Sequence, residues 1–99
     1  MHPVLHQVDQ LPASKEGLWF YGGVTPCHVR IVRHHTLVGT GEADDPPDLA
    51  NDRAVECFYV RFDHPHAGPG WHDGGVALSL REALFMAERR LGPLVSWSD

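Results

Sequence analysis

Eight of the 99 residues are histidine, and His64-Pro65-His66 is followed closely by His72-Asp73. Imidazole with carboxylate suits zinc, iron or nickel, so His64, His66 and His72 are the candidate metal ligands. Their spacing matches no zinc signature such as HExxH, and an HxH pair points one way only in an extended segment, which Pro65 constrains. We therefore expect no native metal site and no cofactor. Cys27 beside His28 invites comparison with a thiolate–imidazole pair, but adjacent residues of a strand face opposite sides. Cys27 and Cys57 form no CxxC, and in a reducing compartment they read as buried small hydrophobes. Gly68-Pro69-Gly70 and Gly74-Gly75 carry neither a dinucleotide fingerprint nor a Walker pattern. These observations point away from an enzyme.

A second constellation mixes cations, imidazoles and aromatics. His28, Arg30 and His34 lie on one side of a run rich in β-branched residues, and Tyr59 and Arg61 share one side of another. Such a face, exposed on a sheet, has the groups that base stacking and phosphate contact require. His28, Arg30, His34 and Arg61 are accordingly the candidate nucleic-acid contacts.

Three runs must position these residues as strands: 18–24, 28–38 and 55–63. Alternation places Phe58, Val60 and Phe62 opposite Cys57, Tyr59 and Arg61, as in a half-buried antiparallel strand. In the second run Cys27, Val29 and Ile31 share a face. The first run leaves open whether Leu18 and Phe20 or Trp19 and Tyr21 turn inward. Gly22-Gly23 and Pro26 mark a short connection between the first two runs. After them, Ser79-Leu80-Arg81-Glu82 has the form of a capping box, Leu80, Ala83, Leu84, Ala87 and Leu91 recur at helical spacing, and Gly92-Pro93 stops the chain, which predicts a helix over 79–91. Leu78 is positioned to staple onto Ala83, and Phe85 and Met86 widen the apolar stripe. Residues 1–17 and 93–99 suit more than one conformation.

The expected fold is therefore α+β: a three-stranded antiparallel meander with one C-terminal amphipathic helix packed on one face, in a single domain over 1–99. That layout is similar in architecture to the three-stranded sheet and helix of plant AP2-type and integrase arm-binding DNA domains, although no motif of either is matched. Residues 39–53 form an acidic loop expected to be mobile, and 64–75 a Gly-, Pro- and His-rich loop anchored by Trp71.

Charge is unevenly spread. Between Glu42 and Glu56 six acids face one base, Arg53, which accounts for the whole formal charge of −5, so the remaining surface is near neutral. That argues against a dedicated phosphate-binding surface. Seven of the eight basic residues are arginine, as in GC-rich bacterial genomes. No stretch approaches the roughly 20 apolar residues that span a bilayer, and no basic-then-apolar leader opens the sequence, so a cytoplasmic setting is expected. Trp19, Tyr21, Tyr59, Phe85 and Trp97 exceed what one sheet and one helix can bury. The expected role is a non-catalytic accessory or protein-interaction domain of unknown pathway, a homodimer or partner of another protein, with Trp19, Tyr21, Tyr59 and Trp97 as interface candidates. The alternatives are nucleic-acid binding through the sheet face and a metal-dependent function at the histidine loop.

Overall fold

The computed structural model describes residues 2–92 and 94–98 of the chain. It is α+β, with a five-stranded antiparallel sheet in the order β4-β3-β2-β1-β5. The elements run α1 (Pro3–Gln10), β1 (Lys15–Tyr21), β2 (Thr25–Leu37), α2 (Pro47–Ala50), β3 (Arg53–Phe62), β4 (His72–Ala77), α3 (Leu80–Leu91) and β5 (Ser96–Trp97). The expected meander is present as β1, β2 and β3, but it understates the sheet by both outer strands.

The β1–β2 connection follows the glycines. Gly22 and Gly23 have φ of 61° and 74°, and Val24 N–H closes the turn on Tyr21 O at 3.1 Å. Two consecutive positive φ angles are what a primed hairpin turn needs, and glycine adopts them without steric cost. The register places Trp19 opposite Cys27, and Val29 and Ile31 opposite Phe62 and Val60. Directly opposed residues share a face. Trp19, Val29, Ile31, Val60 and Phe62 thus pack with Ala83 and Ala87 of α3, which settles the orientation of β1.

β4 lies partly inside the segment expected to be loop. Glycines at 74 and 75 are poor strand formers, yet close packing demands them. A Cβ on Gly74 would stand 2.6 Å from Val60 Cγ1, and one on Gly75 2.6 Å from Met86 Sδ, at a φ of +103°. The missing side chains let α3 settle against the sheet.

The opposite face is not left bare. α1 starts on Pro3, with Nδ1 of His2 accepting from Val4 N–H at 3.1 Å, and its Val4 and Val8 pack on Val32, Cys57 and Tyr59. The sheet therefore has a helix on each face, where only one was expected, because the helical spacing of Leu5, Val8 and Leu11 competes in the sequence with the alternation of Val4, His6 and Val8. The tail is also internal: Trp97 pairs with Gly17 in β5, packs on the α3-side core and donates through Nε1 to Glu88 Oε1 at 3.2 Å.

The acidic segment is the tip of the β2–β3 hairpin. It carries α2 and closes on itself through Thr40 N–H to Leu49 O at 2.8 Å and Gly41 N–H to Ala50 O at 3.0 Å. α3 keeps its expected start, with Ser79 Oγ accepting from Glu82 N–H at 3.1 Å, and ends at Gly92 with φ of 104°. Phe85 and Leu78 do not join the core; both face solvent, so no staple forms. Replacing Ser79 by Ala is expected to lower stability by about 1 kcal/mol in chemical denaturation, since the Glu82 N–H loses its partner.

Candidate binding cleft

Arg30 and Arg61 are cross-strand partners on β2 and β3, so alternation projects both guanidinium groups to the α1 side. Arg61 is 1% exposed. Its Nε and Nη2 donate to the two carboxylate oxygens of Asp9 at 2.7 and 3.0 Å, and Nη2 also reaches Trp71 O at 3.2 Å. Arg30 donates through Nη1 to Asp9 O at 3.4 Å and through Nη2 to Leu11 O, and lies 5.3 Å from the centre of the Trp71 ring. Arg30 thus satisfies carbonyls at the end of α1, where the helix dipole is negative, while Arg61 holds the Asp9 side chain of the same turn. They clamp α1 and the β3–β4 loop to the sheet. Arg30 Nε is a buried polar atom without a hydrogen-bond partner among the described residues.

α1 covers only part of this face. Beyond it, Glu16, Leu18, His28 and Arg30 floor an open cleft of about 530 Å3 with Trp71 as one wall and Ser98 at the rim. A second depression of about 360 Å3, bounded by Pro12, Ala13, Ser14 and Lys15, shares Glu16, Arg30 and Ser98 with it. The floor is rigid because Leu18 pairs with His28 and Glu16 with Arg30 across β1 and β2. Its charged groups are a solvent-facing carboxylate and a guanidinium already engaged by backbone carbonyls.

The expected nucleic-acid face is largely spent on folding. Arg61 is sealed under α1, and His34 is buried, its Nδ1 accepting from Thr36 N–H at 3.0 Å and its Nε2 lying 3.3 Å from Gln7 Oε1. Of the four residues, His28 alone is exposed, with Arg30 half-buried beside it. The expected interface aromatics are similarly occupied. Trp19 is buried and donates to Asp63 O at 2.9 Å. Tyr59 donates to Thr36 O at 2.7 Å and accepts from Val38 N–H at 3.0 Å, and burial pushes its phenol up to about 12. Trp97 is half-buried on its own domain, which leaves Tyr21 exposed.

The histidine loop does not assemble ligands. His64 and His66 pack edge-on against Tyr21, with ring centres 5.1 and 5.0 Å away, while His72 Nε2 lies 3.1 Å from Gly68 O. Among the described residues no three His, Cys, Asp or Glu side chains converge on one point. Cys27 and Cys57 are free and buried, and burial raises the Cys57 thiol above its ordinary range. Neither has the exposed, electropositive surroundings that activate a thiolate. The residues that define the cleft and escaped sequence reasoning are Glu16 and Leu18, whose place depends on register, and Trp71, expected only as a packing anchor.

No protein-family model, curated protein or solved structure matches the chain. Among the described residues no helix is long and apolar enough to cross a membrane.

Two predictions follow from these contacts. Asp9→Ala removes the bidentate partner of the buried Arg61 and leaves it only the exposed Asp73 carboxylate at 4.0 Å, so it is expected to cost about 3 kcal/mol in denaturant titration, whereas Asp9→Leu combined with Arg61→Met costs less than Asp9→Ala alone. For His34, burial first and the neighbouring His35 second hold the imidazole below its ordinary 6.5. The unfolded chain then takes up a proton before the folded one, so stability is full above about pH 6.5 and falls as the pH drops below it, by at most about 1.4 kcal/mol per pH unit. A His34→Gln variant is expected to show a shallower acid limb than the parent in thermal melts across pH 4–8.

Proposed function

We propose that the chain is a non-catalytic, cytoplasmic protein-interaction domain that holds a short peptide segment of a partner in the cleft over β1 and β2. The observation that carries this reading is the cleft itself: an aromatic wall at Trp71, an apolar floor at Leu18, and polar groups of both kinds at Glu16 and His28. A volume of about 530 Å3 falls in the range of ligand-binding clefts, and rigid strands beneath it limit the ordering cost of binding.

A peptide suits the lining better than a nucleic acid. Phosphate backbones gain affinity from free cations; here Arg30 already serves α1, Arg61 is sealed beneath it, and Glu16 adds a negative charge. An apolar side chain can instead lie on Leu18 between Trp71 and the strand backbones, with polar neighbours meeting Glu16 and His28. Catalysis has no comparable support, because the two thiols are buried and the histidines of the loop are turned to aromatic rings and backbone.

Selection from a random-peptide display library on the immobilised chain is expected to enrich short sequences that carry one large apolar residue between polar ones. Trp71→Ala and, separately, Glu16→Lys are expected to weaken the selected peptides at least tenfold with an unchanged circular dichroism spectrum. Failure to enrich any sequence, or equal binding by both variants, would overturn the reading.

A further inference from the structure

The acid-rich hairpin tip and the outer side of α3 have complementary chemistry. Three of the six acids serve the tip and its flanking strands: Asp45 accepts from Thr40 Oγ1 at 2.7 Å, Asp52 accepts from Gly39 N–H at 2.9 Å, and Glu56 meets Arg33 at 3.0 Å. Glu42, Asp44 and Asp48 are exposed and have no ion-pair partner among the described residues. Beside Asp48, Leu49 of α2 is 54% exposed. The tip therefore presents one large aliphatic group among free carboxylates.

The groove between α3 and β4 presents the converse. Its volume is about 580 Å3, its floor is Gly74, Gly75 and Met86, and its walls are Phe85, Arg89 and Arg90, with the Glu82 carboxylate at one end. Phe85 is 60% exposed, with the Arg89 guanidinium 5.7 Å from its ring centre. Neither Arg89 nor Arg90 has an ion-pair partner among the described residues. The Arg90 guanidinium lies 5.9 Å from the Phe62 ring centre, and two guanidinium groups against the one carboxylate of Glu82 leave the groove net positive around an exposed phenyl ring, a seat for an apolar group flanked by carboxylates.

The tip cannot occupy the groove of its own chain. The groove floor lies over Val60, whose Cγ1 would touch a Cβ on Gly74, and the tip ends where β3 begins at Arg53. The intervening strand spans roughly 23 Å at about 3.3 Å per residue. We propose that the occupant is the hairpin tip of a second copy, so that a two-fold dimer seats each Leu49 on the other copy's Phe85, with Asp44 and Asp48 facing Arg89 and Arg90. Reciprocal exchange closes the assembly and doubles the contact. The surface is separate from the cleft over β1 and β2, so this proposal and the peptide reading stand or fall independently.

Light scattering on the full chain at micromolar concentration and low ionic strength is expected to return twice the monomer mass of 11.0 kDa, with an apparent dissociation constant that rises at least tenfold in 0.5 M salt. Reversing the groove, Arg89→Glu with Arg90→Glu, or the tip, Asp44→Lys with Asp48→Lys, is expected to give folded monomers by circular dichroism. Mixing the two reversed proteins is expected to restore the dimer, because each tip then meets a groove of opposite charge. Leu49→Ser is expected to weaken the parent dimer at least tenfold. A parent that stays at 11.0 kDa, reversed variants that dimerise like the parent, or a mixture that stays monomeric would each overturn the second copy as occupant.

Discussion

Asp9 meets Arg61 through two short hydrogen bonds in a place that water hardly reaches, and this pair decides where α1 sits. Removing a guanidinium from water is costly, and a bidentate carboxylate restores the loss only when its geometry is held. Arg30, the cross-strand neighbour, supplies that hold by binding the carbonyls that end α1. Because Arg61 also reaches the Trp71 carbonyl, the same group ties down the loop that walls the cleft. Helix, loop and cleft thus share one electrostatic anchor.

On either side of the sheet the hydrophobic chemistry differs. The α3 side is an apolar layer of Trp19, Val29, Ile31, Val60 and Phe62 against two helix alanines, close-packed enough that two glycines of β4 are required beneath Met86 and over Val60. The α1 side is thinner and more polar, with Val4, Val8 and Val32 beside Tyr59, His34 and the arginines. Burial there raises the Tyr59 phenol and lowers the His34 imidazole, so the stability of that face depends on pH. The functional proposals follow this division: the cleft opens where the polar layer runs out, and the groove lies where the apolar layer reaches its edge.

Much of α3 and the three central strands was legible because their signals are local. Ser79 caps the helix it announces, Gly92 ends it, and alternation assigns Phe58, Val60 and Phe62 to one side. β4 was hidden because its glycines answer a packing demand from Val60 and Met86 that lies elsewhere in the chain. α1 stayed open between helix and strand because its short apolar pattern suits both, and the partners that decide it, Val32 and Tyr59, come from distant strands.

The candidate site divides in the same way. Residue types alone marked Arg30, Arg61, His28 and His34 as a shared cationic side, since period-two alternation is intrinsic to an extended backbone. Whether that side meets solvent is a tertiary property: the helix that covers Arg61 and His34 is joined to them by contacts across 52 and 27 residues, and no local pattern encodes such distances. The surplus of aromatics was likewise plain in composition, but its meaning depended on packing: Trp19 lies in the α3-side core, Tyr59 under α1, and Trp97 in β5 against that same core. Sequence by itself determined α3 and the side-chain faces of β2 and β3, which arise from neighbouring residues, whereas the tertiary structure decided the outer strands, the orientation of β1 and which faces are free to bind, because these are set by whatever else the chain folds against them.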